Sequence, residues 1–213
     1  MEESTSREKV LKKIRNALIS KHDNPYPSLD NDSSVYHELN DSLDITFAQE
    51  FTKVAGKFVY CETQSDLENN LITLIGDKKW KNIFCLEPGI KKMLEQAGIP
   101  YQSEETDFQN AEVGITYCEY LIARFGSIMI SSKQASGRRL NVFPEYHIVI
   151  AYSSQIVREL KDALVKIMDE YKGKTPSFIS IITGPSRTAD IEKTLVMGAH
   201  GPKDLYVFLI DEN

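Results

Sequence analysis

FISIITGPSRTADIEKTLVMGAHGP, residues Phe178 to Pro202, is the stretch on which the reading of this chain turns. It opens with Phe178-Ile179-Ser180-Ile181-Ile182, an apolar, largely β-branched run that reads as a buried strand. Gly184-Pro185 breaks that run, because glycine tolerates positive φ and proline cannot continue a central ladder. Ser186 or Thr188 then stands where an N-cap belongs, and Ile191, Leu195 and Val196 supply the apolar face of a helix. A strand handing over to a helix through a glycine turn gathers free backbone N–H groups at one point. Arg187 adds a positive charge there, so Gly184, Ser186, Arg187 and Thr188 form a candidate anion site. The alternative is an ordinary turn with a solvated arginine.

Working outward, the segments on both sides alternate between the two periodicities. Thr5-x-x-Glu8 is a capping-box pattern opening a helix over about residues 5–20, with Val10, Leu11, Ile14 and Leu18 on its apolar side. Residues 21–42 are polar, carry Pro25 and Pro27, and read as an extended arm anchored by Tyr26, Leu29, Val35 and Tyr36. The domain organisation expected is therefore a helix and arm over 1–42 and an α/β domain over 43–213. Within the latter the pattern predicts a helix over 44–55, a strand over 57–61, a helix capped by Ser65, a strand over 82–86, a helix from Pro88 to Gly98 and a short strand over 100–103. Strands over 111–116, 126–132 and 147–151 follow, with a short helix over 117–123. A hairpin is expected through Gly137-Arg138-Arg139 into Leu140–Phe143. A long helix from Ser153 or Ser154 to near Gly173 and a last strand over 205–210 closing the sheet complete the order. Alternation of this kind predicts an α/β fold: three layers, α/β/α, with a mostly parallel mixed sheet.

Composition excludes several classes. A net charge of −6 argues against a general nucleic-acid or anionic-membrane binder. No apolar run approaches the ~18 residues of a membrane span, and the charged N-terminal stretch lacks a signal-peptide core, so a cytoplasmic location is expected. Cys61, Cys85 and Cys118 are too widely spaced for a zinc or iron–sulfur motif, and Cys61 and Cys85 sit in strand-like runs as small core residues. His22, His37 and His147 show no metal spacing and are read as structural or exposed, so no metal is expected. Phosphate-binding P-loops, nucleophile elbows and dinucleotide fingerprints are missing from the sequence.

Two motifs at fixed spacing, Gly184-Pro185-Ser186-Arg187-Thr188-Ala189-Asp190-Ile191-Glu192 and Gly198-Ala199-His200-Gly201-Pro202, resemble the signature of the lactate utilization protein C family, the LUD-domain proteins. Gly114-Ile115-Thr116, Gly126-Ser127, Gly137-Arg138-Arg139-Leu140 and Pro144…His147 carry the same resemblance, which covers roughly Ala111 onward. It implies the fold of phosphosugar isomerases and CoA transferases. It also implies a cytoplasmic binding or assembly component of a system that oxidises L-lactate to pyruvate. Iron–sulfur and oxidoreductase subunits would be its partners. The cluster would sit on a partner, with no cofactor in this chain, and a homo-oligomer stays open. An enzyme or sensor binding a small anion, such as a CoA ester or sugar phosphate, is the alternative.

The remaining candidate site residues are Arg138 and Arg139, as a second anion contact or a solvated loop tip, and His200 with Gly201. His200 is either an acid–base or donor group or the holder of its own turn. Asp190 is read as an organiser of Arg187 or Arg139, or with Glu192 as a partner of the helix dipole. No catalytic residue is assigned. One departure stands out: family members commonly place an acidic residue and Thr before the glycine at 126, where this chain has Arg124-Phe125. That removes an obvious nucleophilic carboxylate and points toward anion binding. Glu119 and Glu145 remain as nominal carboxylates.

Overall fold

A computed structural model describes residues 5–19, 36–104, 108, 110–191, 194–198 and 200–212, with the backbone alone for 188–191 and 194–197. The chain divides into two units, Met1–Glu38 and Leu39–Asn213. In the first, α1 (Ser6–Ile19) starts with the capping box read from the sequence: Thr5 Oγ1 accepts the Glu8 N–H at 3.3 Å, and Glu8 Oε2 accepts the Thr5 N–H at 2.8 Å. Most of the proposed arm, including Tyr26, Leu29 and Val35, lies outside the described residues.

The second unit is built on a five-stranded sheet of β1 (Lys57–Cys61), β2 (Ile83–Cys85), β3 (Val113–Tyr117), β6 (Tyr146–Tyr152) and β11 (Asp204–Ile210). Their order is β1-β11-β6-β3-β2, and every pairing is parallel. Buried on both faces, β6 and β11 carry continuous apolar runs over 148–151 and 205–210 rather than alternating ones. Helices α3 (Gln64–Lys78) and α4 (Pro88–Gln96) cover one face, packing Leu67, Leu71, Ile90 and Leu94 on Ile115, Ile150 and Phe208. On the other face lie α2 (Leu43–Lys53), through Phe47 and Phe51, and a second sheet, packed on Val149, Leu205 and Val207. Each such fully buried side chain contributes roughly 1.5–3 kcal/mol of hydrophobic stabilisation. The expected α/β class, a mostly parallel sheet flanked by helices, is the observed one.

The second sheet combines β4 (Tyr120–Ile122), β5 (Ser127–Ser131), β7 (Ile156–Val157) and β8 (Ile179–Ile182) in the order β7-β4-β5-β8. Helix α5 (Leu160–Glu170) packs Ala163 and Ile167 on its Ile122 and Met129. Four local expectations change here. The helix expected over 117–123 is the turn into β4, paired antiparallel with β5. The long helix begins only at Leu160, because Ile156 and Val157 pair with Leu121 and Ile122 as β7. Leu140–Phe143 forms turns instead of the second arm of a hairpin. The strand over 205–210, expected to close the sheet, lies inside it between β1 and β6. A smaller shift concerns α3, capped by Thr63 with Asp66 rather than by Ser65; each side chain accepts the other's N–H at 3.1 Å.

Arg124, the departure noted above, is committed to structure. Its guanidinium donates to Glu159 Oε1 from Nη2 at 2.8 Å and from Nε at 3.2 Å, tying the turn before β5 to the start of α5. The expectation that it favours anion binding is thereby corrected: its charge is met internally by Glu159.

Candidate functional site

The largest local correction falls on the stretch quoted first. After β8 and the Gly184-Pro185 turn the chain enters no helix. Residues Arg187–Ile191 form β9 and Thr194–Met197 form β10, an antiparallel hairpin with Arg187 opposite Met197 and Thr188 opposite Val196. Thr188, Ile191, Thr194 and Val196 are β-branched and suit strands, and an apolar spacing of four over so short a run fits either period. The helix N-terminus that was to hold an anion is therefore absent, and so is the dipole argument for Asp190. The expected part of Glu192 lies outside the described residues, as do the roles of the Thr188 and Asp190 side chains.

Arg187 is likewise redirected. Its guanidinium donates to the carbonyl oxygen of Val54, just past α2, so it straps the turn to the end of that helix. Gly184 makes this possible. It has φ +78°, and a Cβ there would lie 2.3 Å from the Val54 oxygen.

The hairpin nevertheless brings the two sequence motifs together. The Ser186 N–H donates to the Pro202 carbonyl at 2.8 Å, and the Gly198 N–H donates to the Ser186 carbonyl at 3.0 Å. His200 thus reaches the Gly184 turn within one chain, by way of the antiparallel hairpin of β9 and β10. Arg138, Gly184, Ser186, His200 and Gly201 all line one cavity of about 180 Å³. Arg139 does not line it; its guanidinium lies 5.3 Å from the Phe108 ring centre and 5.5 Å from that of Phe143. Of the nine site residues nominated from sequence, five meet here.

The cavity sits between the two sheets, at the amino ends of β6 and β11 and beside β5 and β8. Apolar walls come from Ile130, Val142, Phe178 and Ile182. Two polar side chains that the sequence reading passed over complete it. His147 is fully buried; the period of two along β6 turns it to the same face as Val149, toward the second sheet. Its Nε2 lies 2.9 Å from Thr116 Oγ1, while Nδ1 has no partner. Asn141, 3% exposed, donates from Nδ2 to the Gly137 carbonyl at 3.3 Å and leaves Oδ1 without a partner. Two orphan polar atoms on side chains buried to this degree are costly unless a further group supplies the missing hydrogen bonds. Burial pushes the His147 pKa down to about 4, so its imidazole is neutral at pH 7 and can accept or donate a hydrogen bond without carrying charge. At the rim, Arg138 donates from Nη2 to Ser177 Oγ at 2.8 Å, with its guanidinium 5.4 Å from the Phe178 ring centre. The signal that could have found His147 was its place at the start of an otherwise apolar strand.

The model of the LUD domain family matches residues 46–210, most of the chain. The chain belongs to the LUD domain family. Relatives of this LUD domain include the lactate utilization protein C of Shouchella clausii, 34% identical over 123 residues, covering 57% of this chain and 49% of that protein. The lactate utilization protein C of Geobacillus sp. (strain WCH70) is 39% identical over 106 residues, 48% of this chain and 44% of the relative. The uncharacterized protein YkgG of Escherichia coli is 37% identical over 106 residues, 48% of this chain and 46% of its own. The LUD domain chain thus spans about half the length of the curated relatives it matches. Among solved structures, a DUF162 family protein from Deinococcus radiodurans superposes with a TM-score of 0.60 at 16% identity, over 79% of this chain and 96% of its own, which shows a shared fold.

Among the described residues no group of three or more His, Cys, Asp and Glu is placed to hold a metal ion, and no helix is long and apolar enough to cross a membrane. All three cysteines are buried and unpaired, in keeping with the core placement read for Cys61 and Cys85.

Proposed function

We propose that this LUD domain binds a small 2-hydroxy carboxylate such as L-lactate, as the binding or assembly component of a cytoplasmic lactate oxidation system. Electron transfer would fall to iron–sulfur and oxidoreductase partners, since the three cysteines of this chain do not have cluster spacing. The observation that carries this reading is the pair of orphan atoms, His147 Nδ1 and Asn141 Oδ1, on residues lining one cavity with Arg138 at its rim. A hydroxy acid matches them group by group. Its carboxylate suits the Arg138 guanidinium, its hydroxyl suits His147 and Asn141, and its alkyl end suits Ile130 and Val142. At about 180 Å³ the cavity is below the roughly 300–1,000 Å³ of sites for drug-sized ligands, which favours a molecule of a few carbons. Relatives named lactate utilization protein C support the choice of acid.

Calorimetric titration with L-lactate tests it. Arg138→Ala is expected to weaken binding about tenfold, the loss of one charge-assisted contact at a partly solvated rim. Arg187→Ala is expected to leave the affinity unchanged, because that guanidinium is spent on Val54. Equal losses in both variants, or no heat with lactate at all, would reject the assignment. Co-purification of the tagged protein with iron–sulfur and oxidoreductase subunits checks the assembly half of the reading.

A further inference from the structure

We propose that a second ligand site, for a neutral polyhydroxylated molecule of monosaccharide size, lies in a separate cleft at the carboxyl ends of β2, β3 and β6. Crevices outside the carboxyl ends of parallel strands are the usual ligand-binding places of open α/β sheets. Here that crevice has a volume of about 760 Å³, and Glu87, Tyr117, Glu119, Gln134 and Tyr152 are among the residues lining it. None of these lines the cavity of His147 and Asn141.

Glu119 is 9% exposed, in the bend between β3 and β4. Its neighbours are hydroxyls: Ser131 donates through Oγ to Oε1, and Tyr171 donates to Oε1 at 3.2 Å and Oε2 at 3.3 Å. Burial pushes its pKa up, the two hydroxyls pull it down, and Glu170 and Glu87 push it up again. Gln134 is complementary. Its Oε1 accepts the Ser131 N–H at 3.0 Å, whereas Nε2 is buried and has no partner. Its two unmet N–H donors suit an oxygen acceptor beside them, which an ammonium group lacks. Glu87, Glu119 and Glu170 against Lys166 disfavour an anion. Tyr117 and Tyr152, ring centres 6.2 Å apart and tilted by 34°, offer apolar faces to C–H groups. An uncharged compound carrying hydroxyl donors, oxygen acceptors and C–H faces meets all these demands together.

The test is a backbone-amide NMR titration with D-ribose, D-glucose and D-glucose 6-phosphate, on wild type, Glu119→Gln, Gln134→Leu and Arg187→Ala. At least one neutral sugar is expected to shift the amides of 117–120 and 152–155. Its affinity should fall about tenfold in Glu119→Gln and Gln134→Leu, stay unchanged in Arg187→Ala, and exceed that of the phosphate ester. No shift at those amides with either neutral sugar overturns the proposal. So does tighter binding of the phosphate ester, or equal affinity in the Glu119 and Gln134 variants whose spectra remain those of the folded protein.

Discussion

Gly126→Ala is expected to destabilise the domain by about 2–5 kcal/mol. Gly126 ends the 3₁₀ turn of residues 123–125 with φ +56°, a backbone state costing an L-residue roughly 1–2 kcal/mol. The added methyl would also meet main chain, not a yielding side chain: its Cβ would lie 2.2 Å from the Phe51 nitrogen and 2.5 Å from the Glu50 carbonyl carbon. Helix α2 would have to back away, drawing Phe47 and Phe51 out of the core between the sheets, and overpacking of that kind costs a further ~1–3 kcal/mol. Gly98→Ala is the control. Its φ is +68° but nothing lies within 4 Å of its Cβ, so it should show the conformational part alone. Urea unfolding of the two variants separates the contributions. Equal midpoints would mean that the close approach of α2 to Gly126 carries no cost.

The second large effect is on pH. His147 ordinarily titrates near 6.5, and burial lowers this to about 4 in the folded protein. Between those values the unfolded chain binds a proton that the folded one refuses. Stability therefore falls as pH drops from 6.5 toward 4, by roughly 3 kcal/mol across the window, and this contribution levels off below about 4. Above pH 6.5 both states are neutral at this residue and the effect vanishes. His147→Gln removes the titration and should flatten the difference between urea midpoints at pH 6.5 and pH 4.5. Parallel pH profiles for the two proteins would show that the imidazole is not held neutral. The same substitution is expected to weaken lactate binding, which ties the acid sensitivity to the cavity.

The parts of the site that were legible in the sequence were those carried by chemistry-bearing residue types. Arg138, Ser186, His200 and the glycines at 184 and 201 were all nominated, and all line the cavity. His147 has no metal spacing in the sequence, and a histidine at the head of an apolar strand suits a structural role equally; its orphan nitrogen exists only once Thr116 occupies the other one. Arg187 was over-read for the converse reason. A guanidinium beside a glycine turn suits a ligand and a neighbouring carbonyl equally, and Val54, just past α2 and more than a hundred residues upstream, supplies the carbonyl. Glu119 was only a nominal carboxylate in sequence, since Ser131 and Tyr171 reach it from separate elements.

The sequence by itself determined the α/β class, α1 with its capping box, and the positions of β1 and β6. In those places apolar period and capping chemistry act over neighbouring residues, and a local pattern is enough. It also marked the two glycine-bearing motifs that meet at the cavity. Tertiary structure alone decided that residues 187–197 pair as a hairpin, that Ile156-Val157 leaves the helix for a strand, and that the last strand inserts between β1 and β6. Each of these turns on hydrogen bonds and burial offered by partners distant in sequence, and a short β-branched run takes whichever period those partners complete.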